Sequence, residues 1–213
     1  MVNKTLKNIN TLLFDLDGTL LDSFTVHLEV FKATFAHFGI SLKEEDFLSS
    51  YSPNWYKTYE ALGLKKEEWA SADAYWLKEV GNKTAQLFPR VKEILNILSE
   101  NYTLGLVTSG SKVRVERDLK SNGIENFFKT TVTGDDIKTP KPSIESIMLA
   151  LQNLNKQTDE AVYIGDSSAD FEMAKAAGVY FIGVNSAFKS LSSNHPDYNI
   201  YKITDVTDLI AEH

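Results

Sequence analysis

The chain has 213 residues, 43% of them hydrophobic, with 12 Phe, 9 Tyr and 3 Trp. That is enough apolar material for one large domain, or one domain carrying a smaller insert, and it excludes a disordered chain. A net charge of −7 without Lys/Arg clusters excludes backbone-driven nucleic-acid binding, and the lack of cysteine excludes disulfides, thiolate metal sites and a Cys nucleophile.

The first ten residues, MVNKTLKNIN, lack the apolar core of a signal peptide, and no run approaches the ~18 apolar residues of a membrane span. The expectation is a cytoplasmic protein with no membrane partner. The first apolar run, Thr11–Phe14, is short and continuous, as in a buried parallel strand, and DLDGT follows at once. Asp15 and Asp17 are two apart, so on an extended segment both face one side, roughly 6–7 Å apart. Gly18 lets the backbone turn sharply, and the N–H groups of such a turn can converge on an anion. A solvated turn is the alternative, because Asp and Gly are ordinary turn residues.

From Asp22 to about Phe88 the pattern is helical with no convincing strand, and Phe24, His27, Leu28, Phe31, Phe35 and Phe38 share one helical face. Pro53, Gly63 and Pro89 punctuate this block, which reads as an inserted cap over 22–88. The remainder, 1–21 and 89–213, alternates strands with helices. Strands are expected at Tyr102–Val107, Thr130–Thr133, Ala161–Ile164 and Tyr180–Val184, each followed by small or acidic residues. Helices are expected over Pro89–Glu100, Ser111–Ser121 (opened by a Ser cap and stopped near Gly123), Ser143–Leu154 and Ser168–Ala177. The expected fold is an α/β, Rossmann-like three-layer core with a parallel sheet, plus the α-helical cap. Ligands in such sheets bind beyond the carboxyl ends of the strands, where the unusual residues lie.

A carboxylate can attack phosphorus to form an acyl phosphate, but it must approach a like-charged group. Each unit-charge pair at ~4 Å costs about 4 kcal/mol at an effective dielectric near 20, so the site needs cations. Asp166 lies just past a strand and Asp170 in the first turn of the next helix; carboxylates at this density suit Mg²⁺. Helix capping is the alternative for Ser167, Ser168 and Asp170. Thr108, Ser109 and Gly110 end the second strand, where a hydroxyl and free N–H groups bind phosphate oxygens, although such residues also serve as plain linkers. Lys141 lies in TPKPS between two prolines and can offset the charge of a nucleophile and phosphoryl group, with Lys138 as the local competitor.

Together these residues resemble the haloacid dehalogenase superfamily of phosphohydrolases over nearly the whole chain. Its four motifs occur in order: DLDGTL at Asp15–Leu20, VTSG at Val107–Gly110, Lys141 in PKPS, and GDSSAD at Gly165–Asp170. The resemblance implies Asp15 as nucleophile and Mg²⁺ ligand. It implies that Asp17 protonates the leaving oxygen and then activates water, while its backbone carbonyl binds the metal. Thr108, with Ser109 and Gly110, would hold the phosphoryl group. Lys141 would neutralise charge beside Asp15, Asp166 would complete the metal site, and Asp170 would be an outer or alternative ligand. The helical insert matches the family's mobile cap, which closes over the site. Its specificity loop is not assigned: Tyr51, Trp55, Tyr56, Lys57 and Tyr59 serve equally as cap core.

Asp17 favours phosphate esters, whose leaving oxygen needs a proton. The implied activity is a Mg²⁺-dependent phosphatase acting on a small phosphorylated metabolite (phosphoglycolate, pyrophosphate, a nucleotide or a sugar phosphate), as a monomer or homodimer. The alternative is a sugar-phosphate mutase resembling β-phosphoglucomutase, for which His27 would be a substrate contact ten residues after Asp17. A non-catalytic binding protein on the same fold is the third reading.

Overall fold

The computed structural model describes residues 8–52, 55–81, 83–185, 191 and 200–211. The chain divides into two compact units: Met1–Asp22 with Gln86–His213, and Ser23–Ala85.

The first unit is built on a parallel sheet. Its strands are β1 (Thr11–Phe14), β4 (Thr103–Val107), β5 (Phe128–Val132), β6 (Ala161–Gly165), β7 (Tyr180–Val184) and the two-residue β8 (Ile200–Tyr201). Among the described residues they run in the order β5-β4-β1-β6-β7-β8. β1 and β6 are buried along their whole lengths, which explains their uninterrupted apolar runs: strands covered on both faces have no solvent side to alternate with. β1 pairs with β4 on one side and β6 on the other, in registers Phe14↔Leu106 and Phe14↔Ile164. The chain therefore winds outward in opposite directions from β1, which opens a crevice at its carboxyl end.

The crossovers are α5 (Val91–Ser99), α6 (Lys112–Asn122), α7 (Glu145–Leu154) and α8 (Ser168–Ala177), followed at the C-terminal side by α9 (Val206–Ala211). Right-handed crossovers place α5 and α6 on one face and α7 and α8 on the other. On the latter face Leu13, Val107, Val132 and Tyr163 meet Ile147, Leu151 and Met173 in a closed core. The expected helices and five longer strands are all present, with ends shifted by a residue or two. One start signal differs. Ser111 occupies the N-cap of α6, but its hydroxyl makes no cap bond; the Lys112 N–H instead donates to Asp135 Oδ2 at 2.7 Å. The stop is as expected, with Gly123 left-handed at φ 62°.

Two elements carry no sequence pattern. The strands β2 (Leu21–Asp22) and β3 (Gln86–Leu87) pair antiparallel, Leu21↔Leu87 and Asp22↔Gln86, at the two ends of the stretch from Asp22 to about Phe88 expected to hold no strand. Two residues are too few to display a periodicity.

The second unit contains α1 (Phe24–His37), α2 (Glu44–Ser50), α3 (Trp55–Ala61) and α4 (Trp69–Gly81). The apolar face read from α1 packs as an aromatic cluster, with Phe31 within 5.0–6.3 Å (ring centroids) of Phe35, Phe47, Tyr59 and Trp76. No helix among the described residues is long and apolar enough to cross a membrane.

Candidate active site

The carboxyl end of β1 delivers Asp15 into the crevice. The strand continues one residue beyond its assigned end, since the Asp15 N–H donates to the Ile164 carbonyl at 2.9 Å. The chain then turns tightly: the N–H groups of Leu20 and Leu21 both donate to the Leu16 carbonyl at 2.9 Å, and Gly18 N–H donates to Leu21 at 2.9 Å. The expectation that the amides of this turn face an anion therefore fails for Gly18 and Leu20, which serve the loop itself. Gly18 is required on two counts. Its φ is +80°, and a Cβ there would fall on the Asp166 carboxylate. Gly18→Ala should cost about 1–3 kcal/mol of stability, measured by urea unfolding.

β6 delivers the second carboxylate, Asp166, which is 4% exposed and accepts from Thr19 Oγ1 at 3.4 Å. Asp170 follows from the first turn of α8. It caps that helix reciprocally, accepting from Ser167 N–H at 3.1 Å and Ser167 Oγ at 2.6 Å, while its own N–H donates to Ser167 Oγ. Gly165 leaves space for this, since a Cβ there would stand 2.7 Å from the Asp170 carboxyl carbon. Oxygens of Asp15, Asp166 and Asp170 lie within 4.8 Å of one another, all buried.

Lys141 answers this negative charge. Its side chain is 5% exposed, and the three N–H bonds of Nζ are shared among Asp15 Oδ1 at 2.6 Å, Asp170 Oδ1 at 2.8 Å, Tyr163 Oη at 2.8 Å and the Val107 carbonyl at 3.2 Å. Its competitor Lys138 is exposed. Burial weakens the ammonium, yet Asp15 and Asp170 outweigh it and hold the proton well above the ordinary lysine range. Burial likewise pushes the Asp15 carboxyl up to about 7; Lys141 opposes this, while Asp170 and Asp17 add to it.

Asp17 turns the other way. Both its oxygens are held by Arg114 of α6: Nη1 donates to Oδ1 at 3.0 Å and Nη2 to Oδ2. Thr108, 2% exposed, ends β4; its Oγ1 accepts from Gly110 N–H at 3.2 Å and still carries a donor. Ser109 and Gly110 follow it, half-buried. The structure thus gathers Asp15, Asp17, Thr108, Lys141, Asp166 and Asp170 on one end of the sheet. His27 belongs to the helical unit, where it is 9% exposed with its ring edge-on to Trp76 at 5.9 Å. Of the specificity candidates, Tyr59 is core at 1% exposure, whereas Trp55 and Tyr56 are 40% and 41% exposed.

Two groups were missed from the sequence. Tyr163 counts as an apolar strand residue, but its hydroxyl reaches Lys141 and Asp170. Arg114 reads as surface charge in KVRVER; the only signal was its four-residue spacing from Asp118, which places both on one helix face.

A strand-end aspartate, a buried lysine and an all-oxygen acidic cluster suit chemistry on an anionic group. Residues 12–184 match the haloacid dehalogenase-like hydrolase family. The chain belongs to that family, as a phosphatase of the haloacid dehalogenase superfamily. It is similar to the pyrophosphatase PpaX of Bacillus velezensis, 35% identical over 206 residues, covering 94% of this chain and 95% of the relative. Its fold resembles a putative phosphoglycolate phosphatase from Lactobacillus plantarum (TM-score 0.84, 23% identity, 95% and 99% of the two chains). It also resembles a putative β-phosphoglucomutase from Thermotoga maritima (TM-score 0.74, 24% identity, 96% and 99%). The family uses a divalent metal, and the buried acidic cluster fits one: its donors are all hard oxygens, which suit a hard cation.

Proposed function

We propose that this phosphatase hydrolyses a small phosphate monoester, with Mg²⁺ as its ion and through an aspartyl-phosphate intermediate. The observation that carries the reading is Asp15 itself: a buried carboxylate beyond the central strand, with the Lys141 ammonium 2.6 Å away and Asp166 and Asp170 beside it. An Asp15 oxygen attacks phosphorus, the bond from phosphorus to the ester oxygen breaks, and Asp17 gives that oxygen its proton. In the second half Asp17 takes a proton from water, whose oxygen attacks the acyl phosphate; the bond to Asp15 breaks and inorganic phosphate leaves. Thr108 holds phosphoryl oxygens, with Ser109 and Gly110 beside it, and Lys141 offsets the charge gathered around Asp15.

The ion would be held by the side chains of Asp15 and Asp166 and the Asp17 carbonyl. Bound there, it would neutralise charge that otherwise repels the substrate. Asp170 is the less suited ligand. It already accepts from Lys141 and from both polar groups of Ser167, with the Tyr163 hydroxyl shared between it and the Val107 carbonyl, so we assign it to orienting Lys141. The unit Ser23–Ala85 would act as the cap, with His27, Trp55 and Tyr56 as its candidate substrate contacts.

Phosphate release from a metabolite panel with Mg²⁺ tests the reading. Phosphoglycolate, nucleotides and sugar phosphates are the esters to include; pyrophosphate enters because the 35%-identical relative is named for it. Conversion of glucose 1-phosphate without phosphate release would establish the mutase alternative, and inertness toward every phosphate would favour a binding protein.

The ion has a pH signature. Without metal, the Asp15 carboxyl is raised from 3.8 to about 7, so the native state binds the extra proton between these values. Its contribution to stability is full below about 4 and is lost as pH rises through about 7. A cation must displace that proton when the pH is low. The melting-temperature gain from Mg²⁺ should therefore be larger at pH 8 than at pH 5; an equal gain at both would remove Asp15 from the ligand set.

A further inference from the structure

Arg114 is a costly residue. It projects from the first turn of α6 and is 9% exposed, and a buried guanidinium makes little net contribution to stability even when paired. Its surroundings are arranged for it nonetheless. A Cβ on Gly110 would collide with its Nη2 atom and lie 3.1 Å from Cζ, so the glycine clears a channel for the side chain. At the far end of that channel the planar fork meets both oxygens of Asp17, a geometry that fixes the plane of a carboxylate as well as its position.

The fork is itself held. Arg114 Nη1 also donates to Asp118 Oδ2 at 3.3 Å, one helical turn further on, and Asp118 is 1% exposed. Asp118 Oδ1 in turn accepts from Arg117 Nε at 3.0 Å and Nη2 at 2.9 Å. Charges thus alternate along Asp17, Arg114, Asp118 and Arg117. Nη1 is shared between two carboxylates at similar distances, so when Asp17 gives one oxygen to another partner, Asp118 keeps the guanidinium where it is.

We propose that Arg114 is the positioning residue for Asp17: its fork, anchored by Asp118, sets the orientation in which that carboxylate meets the leaving oxygen. This rests on the acid/base role proposed for Asp17 above. A tie that merely fastened α6 to the loop after β1 would affect every substrate alike. A positioning role matters in proportion to how much proton the leaving group needs.

The test compares kcat/KM, which reports the chemistry only through departure of the leaving group, for p-nitrophenyl phosphate and for glycerol 2-phosphate. The aryl group departs as a stable anion, whereas the alkyl group requires a proton. Arg114→Gln should lower the alkyl value by about 100-fold and the aryl value by less than about tenfold. Arg114→Lys retains charge but not the fork, so it should show most of the same bias. Asp118→Asn should show a smaller loss with the same bias, and these two variants decide the matter if Arg114→Gln does not fold. Equal losses on both substrates, or none, would overturn the proposal. Asp17→Asn is the control: it should show the alkyl bias most strongly. Bias in Asp17→Asn without bias in the Arg114 variants refutes the positioning role alone, whereas no bias in Asp17→Asn refutes the acid role beneath it.

Discussion

Asp15→Asn should lower kcat by on the order of 10⁴- to 10⁶-fold, the scale seen when a nucleophile is removed from an otherwise intact site. The amide is isosteric and its Oδ1 still accepts from Lys141, now 2.6 Å from the carboxylate, so the fold should survive. The substitution also deletes one of three clustered buried acids. Without metal, at pH 8, the variant should be at least as stable as the parent, because a desolvated negative charge beside Asp170 is gone. The stabilisation by Mg²⁺ should shrink at the same time. Steady-state phosphate release and urea unfolding with and without Mg²⁺ measure all three effects. Turnover within tenfold of the parent would show that another group attacks.

The largest stability effect should come from Lys141→Met. Four acceptors surround the ammonium, and removing it leaves Asp15 and Asp170 buried without their common cation. Breaking such a buried pair from one side costs about 3–5 kcal/mol, because the remaining charges are neither solvated nor paired. The loss should be smaller at pH 5 than at pH 8, since Asp15 holds its proton more readily at the lower pH. Adding Asp170→Asn to the same chain should restore part of the stability without restoring activity. Urea midpoints of the single and double variants at the two pH values are the measurement. An additive double variant would mean that Lys141 and Asp170 do not interact as their 2.8 Å separation implies.

The parts of the site legible in the sequence are those where backbone geometry alone brings chemistry to one place. Asp15 and Asp166 each follow a run of apolar residues, and neighbouring parallel strands must present such residues at the same edge. Lys141 could be named because prolines flank it, and the family resemblance set it beside Asp15, but its contacts with Val107, Tyr163 and Asp170 could not be foreseen, since they come from β4, β6 and α8. Tyr163 and Arg114 escaped notice for opposite reasons. Tyr163 belongs to a hydrophobic strand, and nothing local reveals that its hydroxyl emerges among charges. Arg114 belongs to a charged helix, and nothing local reveals that this one cation turns inward. Both depend on register and helix phase relative to other elements, which a single sequence does not encode locally. The Ser111 cap failed similarly, because Asp135, 23 residues beyond Lys112, supplies the acceptor for the Lys112 N–H instead.

The short pairing of β2 with β3 has a consequence for how this chain can vary. Leu21 opposes Leu87 and Asp22 opposes Gln86, so the polypeptide leaves the sheet-bearing unit and re-enters it at directly facing residues. Facing residues of an antiparallel pair stand about 5 Å apart whatever lies between them. Closing a longer excursion costs only about 0.6 kcal/mol for each doubling of its length. The segment 23–85 is therefore a replaceable module: it can be lengthened, shortened or exchanged at one doorway while Asp15, Asp166 and Lys141 keep their registers. Selection can reshape that module without disturbing the sheet-bearing unit that carries it.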